Sequence, residues 1–355
     1  MSNIITCEQV SNGHPDKICD QIADAVVTDC LRHDKNSRVA IEVLIKDNHI
    51  VIAGELTSTH EPNYHALVDQ VFSRIGKNTL GYDADGFFIQ VLVSKQSPDI
   101  AQGVDVGGAG DQGMMFGYAT DETPELMPMP FVLATRLLEK LKEPGGKRRF
   151  RADCKAQVSF DYDKWEIKTF LCSIQHTEDA SQEFIRGRIG QLMKETAAEA
   201  GLNTAFEILV NPTGRFVIGG PYADSGVTGR KLACDTYGGV GHIGGGAMSG
   251  KDPTKVDRSG AYMARKIARD IVRAGFADKC EVQIAYAIGV AKPVSIHVEC
   301  FGTEHQEVGF IEDYILNNYD LTPKGIIEAL DLLNVDYNQV SAYGHFGKDG
   351  LPWEE

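Results

Sequence analysis

His242-Ile-Gly-Gly-Gly-Ala-Met-Ser-Gly-Lys-Asp-Pro-Thr-Lys-Val-Asp-Arg258 is the stretch around which the chain is organised. The glycines Gly244 to Gly246 are followed by Ser249 and Gly250, then by Lys251, Asp252, Lys255, Asp257 and Arg258. Glycines let backbone N–H groups approach an anion closely. Lysines give point charges to a phosphate, and carboxylates can hold a metal that bridges the same phosphates. Beyond the loop, Ala264, Ile267, Ala268, Ile271 and Val272 repeat at helical spacing. The loop therefore empties into a helix N-terminus, whose dipole also favours an anion. Gly245 to Lys251 fits G-x-x-x-x-G-K, but Asp252 stands where Ser or Thr should hold magnesium, and no apolar strand runs into Gly244. The P-loop reading fails on that context. A Gly-rich surface loop with solvated charges stays open on this segment alone.

A length of 355 residues suffices for two or three domains. A composition of 43% hydrophobic and 24% charged residues is that of an ordinary globular protein. No run of 18 apolar residues marks a membrane span. The N-terminal Met-Ser-Asn-Ile-Ile-Thr-Cys-Glu lacks the basic and apolar regions of a signal peptide, so a cytoplasmic location is expected. The eight cysteines show no C-x-x-C pair and read as reduced thiols. A net charge of −15 argues against nonspecific nucleic-acid binding. A polyanionic small substrate would then need local basic clusters.

Such clusters recur along the chain. Ser11-Asn12-Gly13-His14-Pro15-Asp16-Lys17 starts a helix, with Pro15 suited to its first position and Ile18, Ile22, Ala25 and Val26 continuing it. A capped helix start with two solvated charges is the plain alternative there. Val39 to Ile45 and Ile50 to Leu56 alternate as a hairpin with a turn at Lys46 to His49, and Glu42 and Glu55 lie opposite the more apolar rows. Tyr64 to Ile75 is an amphipathic helix and Phe87 to Val93 a strand. Lys95 to Gly113 is a Gly-rich loop whose Gly108 to Gly113 matches G-x-G-x-x-G without the strand a dinucleotide site needs, so it reads as a mobile lid. A helix from Phe131 to Lys142, a hairpin through Lys155 to Phe160 and Trp165 to Ile174, and a helix around Ile185 to Met193 follow. Phe206 to Val210 is a short strand. A second Gly-rich basic stretch, Gly219 to Lys231, precedes the central loop. Strands at Val282 to Ile288 and Val294 to Cys300, then a helix from Ile326 to Leu333, complete the pattern.

Helix, hairpin, helix thus appears three times without a repeat in sequence. The expected fold class is α+β: three similar domains, each a β-sheet with helices on one side, in a pseudo-threefold arrangement. Expected boundaries are 1–100, a lid at 101–113, 114–218 and 219–355.

Taken together, Gly13-His14-Pro15-Asp16-Lys17, Gly108 to Gly113 and Gly244 to Asp252 resemble the S-adenosylmethionine synthetase (methionine adenosyltransferase) family. So do Asn211 to Pro221, Thr228 to Lys231 and Asp235-Thr236-Tyr237-Gly238-Gly239, and the match runs from Cys7 to Trp353. The resemblance implies three similar domains, a homodimer with active sites shared between subunits, and often a dimer of dimers. It implies attack of the methionine sulfur on C5′ of ATP, then hydrolysis of the expelled triphosphate to phosphate and pyrophosphate. Two Mg²⁺ and one K⁺ per site would assist.

By the same resemblance His14 lies near the bridging oxygen of the leaving group. Lys155, Arg230, Lys231, Lys251 and Lys255 surround the phosphates or the methionine carboxylate. Glu8, Asp16 and Asp257 match the magnesium region, and Glu42 the potassium ligand. Glu55, Gln96 and Asp224 match methionine contacts, the last also an ATP contact. Phe216, after Arg215, resembles the residue that stacks on adenine, and Asp111, Asp153 and Ala247 match further nucleotide contacts. The catalytic set expected is His14, Lys155, Arg230 and Lys251. Asn12 replaces the family's usual Glu, the stretch between Asp105 and Gly108 is shortened, and the chain stops at Glu355 without the common extension. The last two features bear on the lid and on assembly. The alternative, a catalytically inactive nucleotide-binding regulatory homologue, should have lost some of His14, Asp16, Lys155, Lys251 or Asp257; all are present.

Overall fold

A computed structural model describes residues 3–76, 86–95, 108–141 and 149–355. Gln96 and residues 101–107 of the expected lid lie outside the described residues. The first third of the chain runs β1 (Ile4–Val10), α1 (Pro15–His33), β2 (Arg38–Lys46), β3 (His49–Thr57), α2 (Tyr64–Ile75) and β4 (Phe88–Ser94). The second runs β5 (Gly113–Thr120), α3 (Met129–Lys140), β6 (Phe150–Asp161), β7 (Glu166–His176), α4 (Gln182–Glu199) and β8 (Glu207–Val210). The third runs β9 (Gly226–Val227), α5 (Val256–Arg273), β10 (Lys279–Tyr286), β11 (Ser295–Glu299), α6 (Val308–Asn318) and α7 (Pro323–Ala329).

The thrice-repeated helix, hairpin, helix is present, and each repeat opens with a strand. That strand pairs away from home. The sheets are ordered β1-β6-β7-β8, β11-β10-β5 and β4-β3-β2-β9. The first segment therefore lends β1 to the second, the second lends β5 to the third, and the third lends β9 to the first.

Alternation decides what each sheet buries. Val39, Ile41, Val43 and Ile45 of β2 turn inward and are at most 1% exposed. Ala40, Glu42 and Leu44 turn outward, in register with Glu55, Ala53 and Val51 of β3. Next to them Leu92 of β4 pairs with Ala53, and Phe88 with His49. The inward faces and helices make two cores. One joins the first and third segments through residues such as Ile18, Val43, Phe72, Ile267 and Val282. The other fills the second segment with Leu133, Leu137, Val158, Phe170 and Ile189. The last residues are packed into the first core: Trp353 stacks on Tyr262 with ring centroids 3.7 Å apart, and Glu354 meets Arg265 at 2.9 Å.

Candidate active site

The start of α1 is held by its own sequence. Pro15 occupies the first turn and His14 caps it, its Nδ1 accepting the Asp16 N–H at 3.2 Å. With Nδ1 an acceptor, the ring hydrogen resides on Nε2. Burial, with the charges of Lys231 and Lys155 acting the same way, pushes the His14 pKa down to about 3 against the opposing pull of Asp16 and Asp224. His14 is thus a neutral hydrogen-bond donor among cations.

Asp16 spends both carboxylate oxygens on the third segment. Oδ1 accepts the Val227 N–H at 2.9 Å and Oδ2 accepts Lys231 Nζ at 2.6 Å. Arg230 Nε lies 3.8 Å away. Burial would raise the Asp16 pKa, but the Lys231 ammonium and the Val227 N–H outweigh it and hold the carboxyl below its usual range. One turn on, Asp20 Oδ1 accepts the Gly229 N–H at 2.9 Å. The carboxylates of α1 therefore fix the Gly226–Lys231 stretch against it. The second segment contributes Lys155, opposite Val10 in the β1–β6 ladder, and Asp153, whose Oδ2 accepts the Gly220 N–H at 2.8 Å. Burial pushes the Asp153 pKa up to about 6, opposed by the Gly220 N–H and Lys155 and helped by Asp224.

The glycine-rich loop forms a second charged group. Lys251 Nζ meets Asp257 Oδ2 at 2.6 Å at the first turn of α5. Asp252, the residue that broke the P-loop pattern, has a structural task. Its Oδ2 accepts the Val39 N–H at 2.6 Å and the Lys255 ammonium, while Oδ1 accepts the Thr254 N–H and hydroxyl at 2.9 and 2.6 Å. The loop is thereby tied to the start of β2. Gly250 adopts φ +82°, and a Cβ there would strike the Ile41 carbonyl, so glycine is required. Its N–H reaches Asp24 Oδ1 at 2.9 Å. Beneath the loop, fully buried Arg258 donates from Nε to the Met248 carbonyl at 2.7 Å, pairs with Asp24, and lies 4.2 Å over the Tyr337 ring. Glu42 faces outward on β2; desolvation raises its carboxyl pKa, opposed by Lys251, with Asp20 and Glu55 adding to the rise.

The expected residues thus fall into two groups. His14, Asp16, Asp153, Lys155, Asp224, Arg230 and Lys231 surround the α1 terminus. Glu42, Glu55, Lys251, Lys255 and Asp257 surround the loop at α5. Ala247 sits against Gly229, between the groups. Glu8 is exposed on β1, opposite Gln157 and on the outward face that also carries Lys155. Arg215 is instead paired with Glu178 at the surface, and Phe216 exchanges hydrogen bonds with His176 through its backbone. Asp111 accepts the N–H of neighbouring Gln112 at 2.7 Å. Asn12 accepts the Tyr343 hydroxyl at 3.1 Å, a neutral contact where a glutamate would bring charge.

Sequence reasoning missed the buried supports. Lys17 Nζ meets Asp20 Oδ2 at 2.9 Å and also pairs with Asp235. Burial would lower its pKa, but those two carboxylates raise it instead. The available signal was spacing: Lys17, Asp20 and Asp24 stand at i, i+3 and i+7, on one face of the helix.

Family models for the N-terminal, central and C-terminal domains of S-adenosylmethionine synthetase match residues 2–98, 106–216 and 218–355. An S-adenosylmethionine synthase of Akkermansia muciniphila is 46% identical over 374 residues, spanning 99% of this chain and 95% of its own. One from Sorangium cellulosum is 46% identical over 366 residues, spanning 99% and 87%. One from Mycoplasma mycoides subsp. mycoides is 45% identical over 365 residues, spanning 99% and 94%. Matched by all three domain models in order, and by relatives along nearly its whole length, the chain belongs to the S-adenosylmethionine synthetase family.

Proposed function

We propose that the protein is a methionine adenosyltransferase, making S-adenosylmethionine from ATP and L-methionine and then hydrolysing the triphosphate it expels. A sulfur lone pair forms the S–C5′ bond, the C5′–O5′ bond breaks, and its electron pair leaves with the triphosphate. Thioether sulfur needs no base to deprotonate it. The barrier lies in aligning sulfur with C5′ and in stabilising charge on the leaving oxygens. The observation that carries the reading is His14, held neutral with its hydrogen on Nε2 beside Lys155 and Lys231. That arrangement donates a hydrogen bond toward the bridging oxygen, while Lys155, Arg230, Lys231 and Lys251 supply positive charge to the phosphates. Asp153, Asp111, Arg215, Phe216, Asp224 and Ala247 would hold the nucleotide, and Glu55, Gln96, Asp224 and Lys255 the methionine.

The donor set fits hard cations: Glu8, Asp16, Asp257 and Glu42 all offer carboxylate oxygen, the ligand type of Mg²⁺ and K⁺. Asp16 and Asp257 already carry a lysine ammonium at 2.6 Å, so both accept positive charge where they stand. Glu8, Asp16 and Asp257 would hold two Mg²⁺ and Glu42 one K⁺; when bound, these ions neutralise charge on the triphosphate.

A homodimer with shared sites is supported by the outward faces. Glu42 and Glu55 share theirs with Leu44, Phe88 and Leu92, which are 43%, 63% and 55% exposed. Large apolar residues beside functional carboxylates fit a subunit interface better than solvent.

The test is to incubate the protein with ATP, methionine, Mg²⁺ and K⁺ and to follow products by mass. Formation of S-adenosylmethionine with phosphate and pyrophosphate is expected, and its loss in His14→Asn. Absence of S-adenosylmethionine with wild-type protein overturns the reading.

A further inference from the structure

The end of α1 away from His14 carries Asp29 and His33, and His60 lies against them. Asp29 and His33 stand at i and i+4 on the helix, and His60 comes from the segment after β3. His60 Nε2 lies 2.7 Å from Asp29 Oδ2, and His33 Nδ1 lies 3.6 Å from Asp29 Oδ1 and 2.8 Å from the Asp29 carbonyl. The two imidazoles stack with centroids 4.0 Å apart and planes 15° apart. One nitrogen or oxygen from each of the three residues lies within 4.8 Å of the others.

A histidine–carboxylate hydrogen bond accounts for His60 alone. It does not account for a second imidazole stacked on the first, over the same carboxylate. We propose that Asp29, His33 and His60 form a binding site for a divalent transition-metal ion such as Zn²⁺.

Two imidazole nitrogens and a carboxylate oxygen suit Zn²⁺, whereas Mg²⁺ takes oxygen ligands. Tetrahedral zinc with bonds of about 2.0–2.1 Å needs ligand atoms roughly 3.3 Å apart. The Asp29–His60 pair is already closer, and His33, with a side chain 55% exposed, has room to rotate inward. The segment bearing His60 is fixed before any ion arrives. The N–H and hydroxyl of Thr59 donate to Asp34 Oδ2 at 2.8 and 2.9 Å, and the His60 N–H donates to Ser58 Oγ at 3.0 Å. A bound ion would tie the C-terminus of α1 to this segment. At about 1.5 Å per residue, Asp29 and His33 lie roughly 22 and 28 Å from His14 along α1, so a bound ion would act on stability and not on the chemistry at His14.

The experiment titrates Zn²⁺ into chelator-treated full-length protein with millimolar Mg²⁺ present to occupy oxygen-ligand sites. Wild type should bind Zn²⁺ at micromolar concentration and show a raised thermal midpoint. Co²⁺ in place of Zn²⁺ should give visible absorption bands. His60→Gln and His33→Gln should each weaken Zn²⁺ binding by on the order of tenfold or more and abolish the midpoint shift. Their adenosyltransferase activity without zinc should equal that of wild type. Equal Zn²⁺ binding in wild type and both variants, or none in wild type, overturns the proposal.

Discussion

Replacing Asp153 with Asn should make the protein more stable and less active. Asp153 is a buried carboxyl whose pKa is pushed up from 3.8 to about 6. The folded state therefore keeps a proton that the unfolded chain gives up. Stability on this account falls as pH rises from about 3.8 to 6, and the full penalty is present above that. A rise of about two units, at about 1.36 kcal/mol each, sets that penalty near 3 kcal/mol. Asparagine carries no charge at any of these pH values. Its Oδ1 can still accept the Gly220 N–H, with a loss of about 1 kcal/mol for trading a charged acceptor for a neutral one. The variant should gain about 2 kcal/mol at pH 8 and little or nothing at pH 5, where the wild-type carboxyl is mostly protonated. Urea denaturation at the two pH values, with unchanged m, measures this directly. Turnover should fall, because the same carboxylate faces Lys155 and is expected to contact the nucleotide. Equal destabilisation at pH 5 and pH 8 would refute the reasoning: Asp153 would then be a net support and not a strained group.

Four further outcomes are expected. Lys251→Ala should lower turnover by on the order of 100-fold with a stability change under about 1 kcal/mol, and near-normal turnover would show that the Gly-rich loop is only surface. Glu42→Gln should blunt activation by K⁺ while leaving the Mg²⁺ titration in place; an unchanged K⁺ curve removes Glu42 as a ligand. With the folded His14 pKa at about 3, the unfolded chain takes up the proton first, so stability falls as pH drops from about 6.5 toward 3, while the ring in the folded protein stays neutral and its resonances should stay flat from pH 8 to 5. A midpoint near 6.5 would contradict this. Arg258→Met should cost about 3–5 kcal/mol by stranding Asp24, with part of the loss recovered in Arg258→Met combined with Asp24→Asn.

What the sequence displayed was periodicity. The hairpins and most helices stood out because their apolar residues recur at 2 or 3.6, and the repeat of three followed from them. The strands exchanged between segments did not stand out. β1 buries Cys7 and Gln9 while exposing Ile4, which inverts the expected pattern. β5 carries Gly113 and Gly117, the latter facing the backbone at Ala264 in α5. β9 has two residues and owes its place to Asp16 and Leu44, not to its own composition. Helix α6 was also missed: it buries Ile311 and Ile315 but exposes Phe310 and Leu316, so no apolar face is drawn in its sequence. The candidate site was legible as motifs. The contacts among them were not, because Lys17–Asp235 and Asp24–Arg258 span more than 200 positions.

Strand exchange accounts for why the motifs lie where they do. Each lent strand is followed or preceded by a loop that must cross from one segment to another. β1 ends at Val10, just before Ser11 to Lys17, and β9 is followed at once by Thr228 to Lys231. Pairing β9 with β2 brings that second loop onto the start of α1, so closely that a Cβ on Gly226 would strike the Pro15 carbonyl. The carboxylates of Asp16 and Asp20 then complete the junction. The three segments offer three equivalent helix starts, but only two have charged side chains in the run that enters the helix. At α1 stand His14, Asp16 and Lys17, and at α5 stand Lys251, Lys255 and Asp257. At α3 the corresponding run is Met127-Pro128-Met129-Pro130, buried, with the Met129 N–H satisfied by Glu122 at 3.0 Å. The carboxylate at that start, Glu122, is already committed to the Met129 N–H, the Tyr162 hydroxyl and Lys279. On the proposed function, the repeat therefore commits two of its helix termini to handling anions and the third to the core.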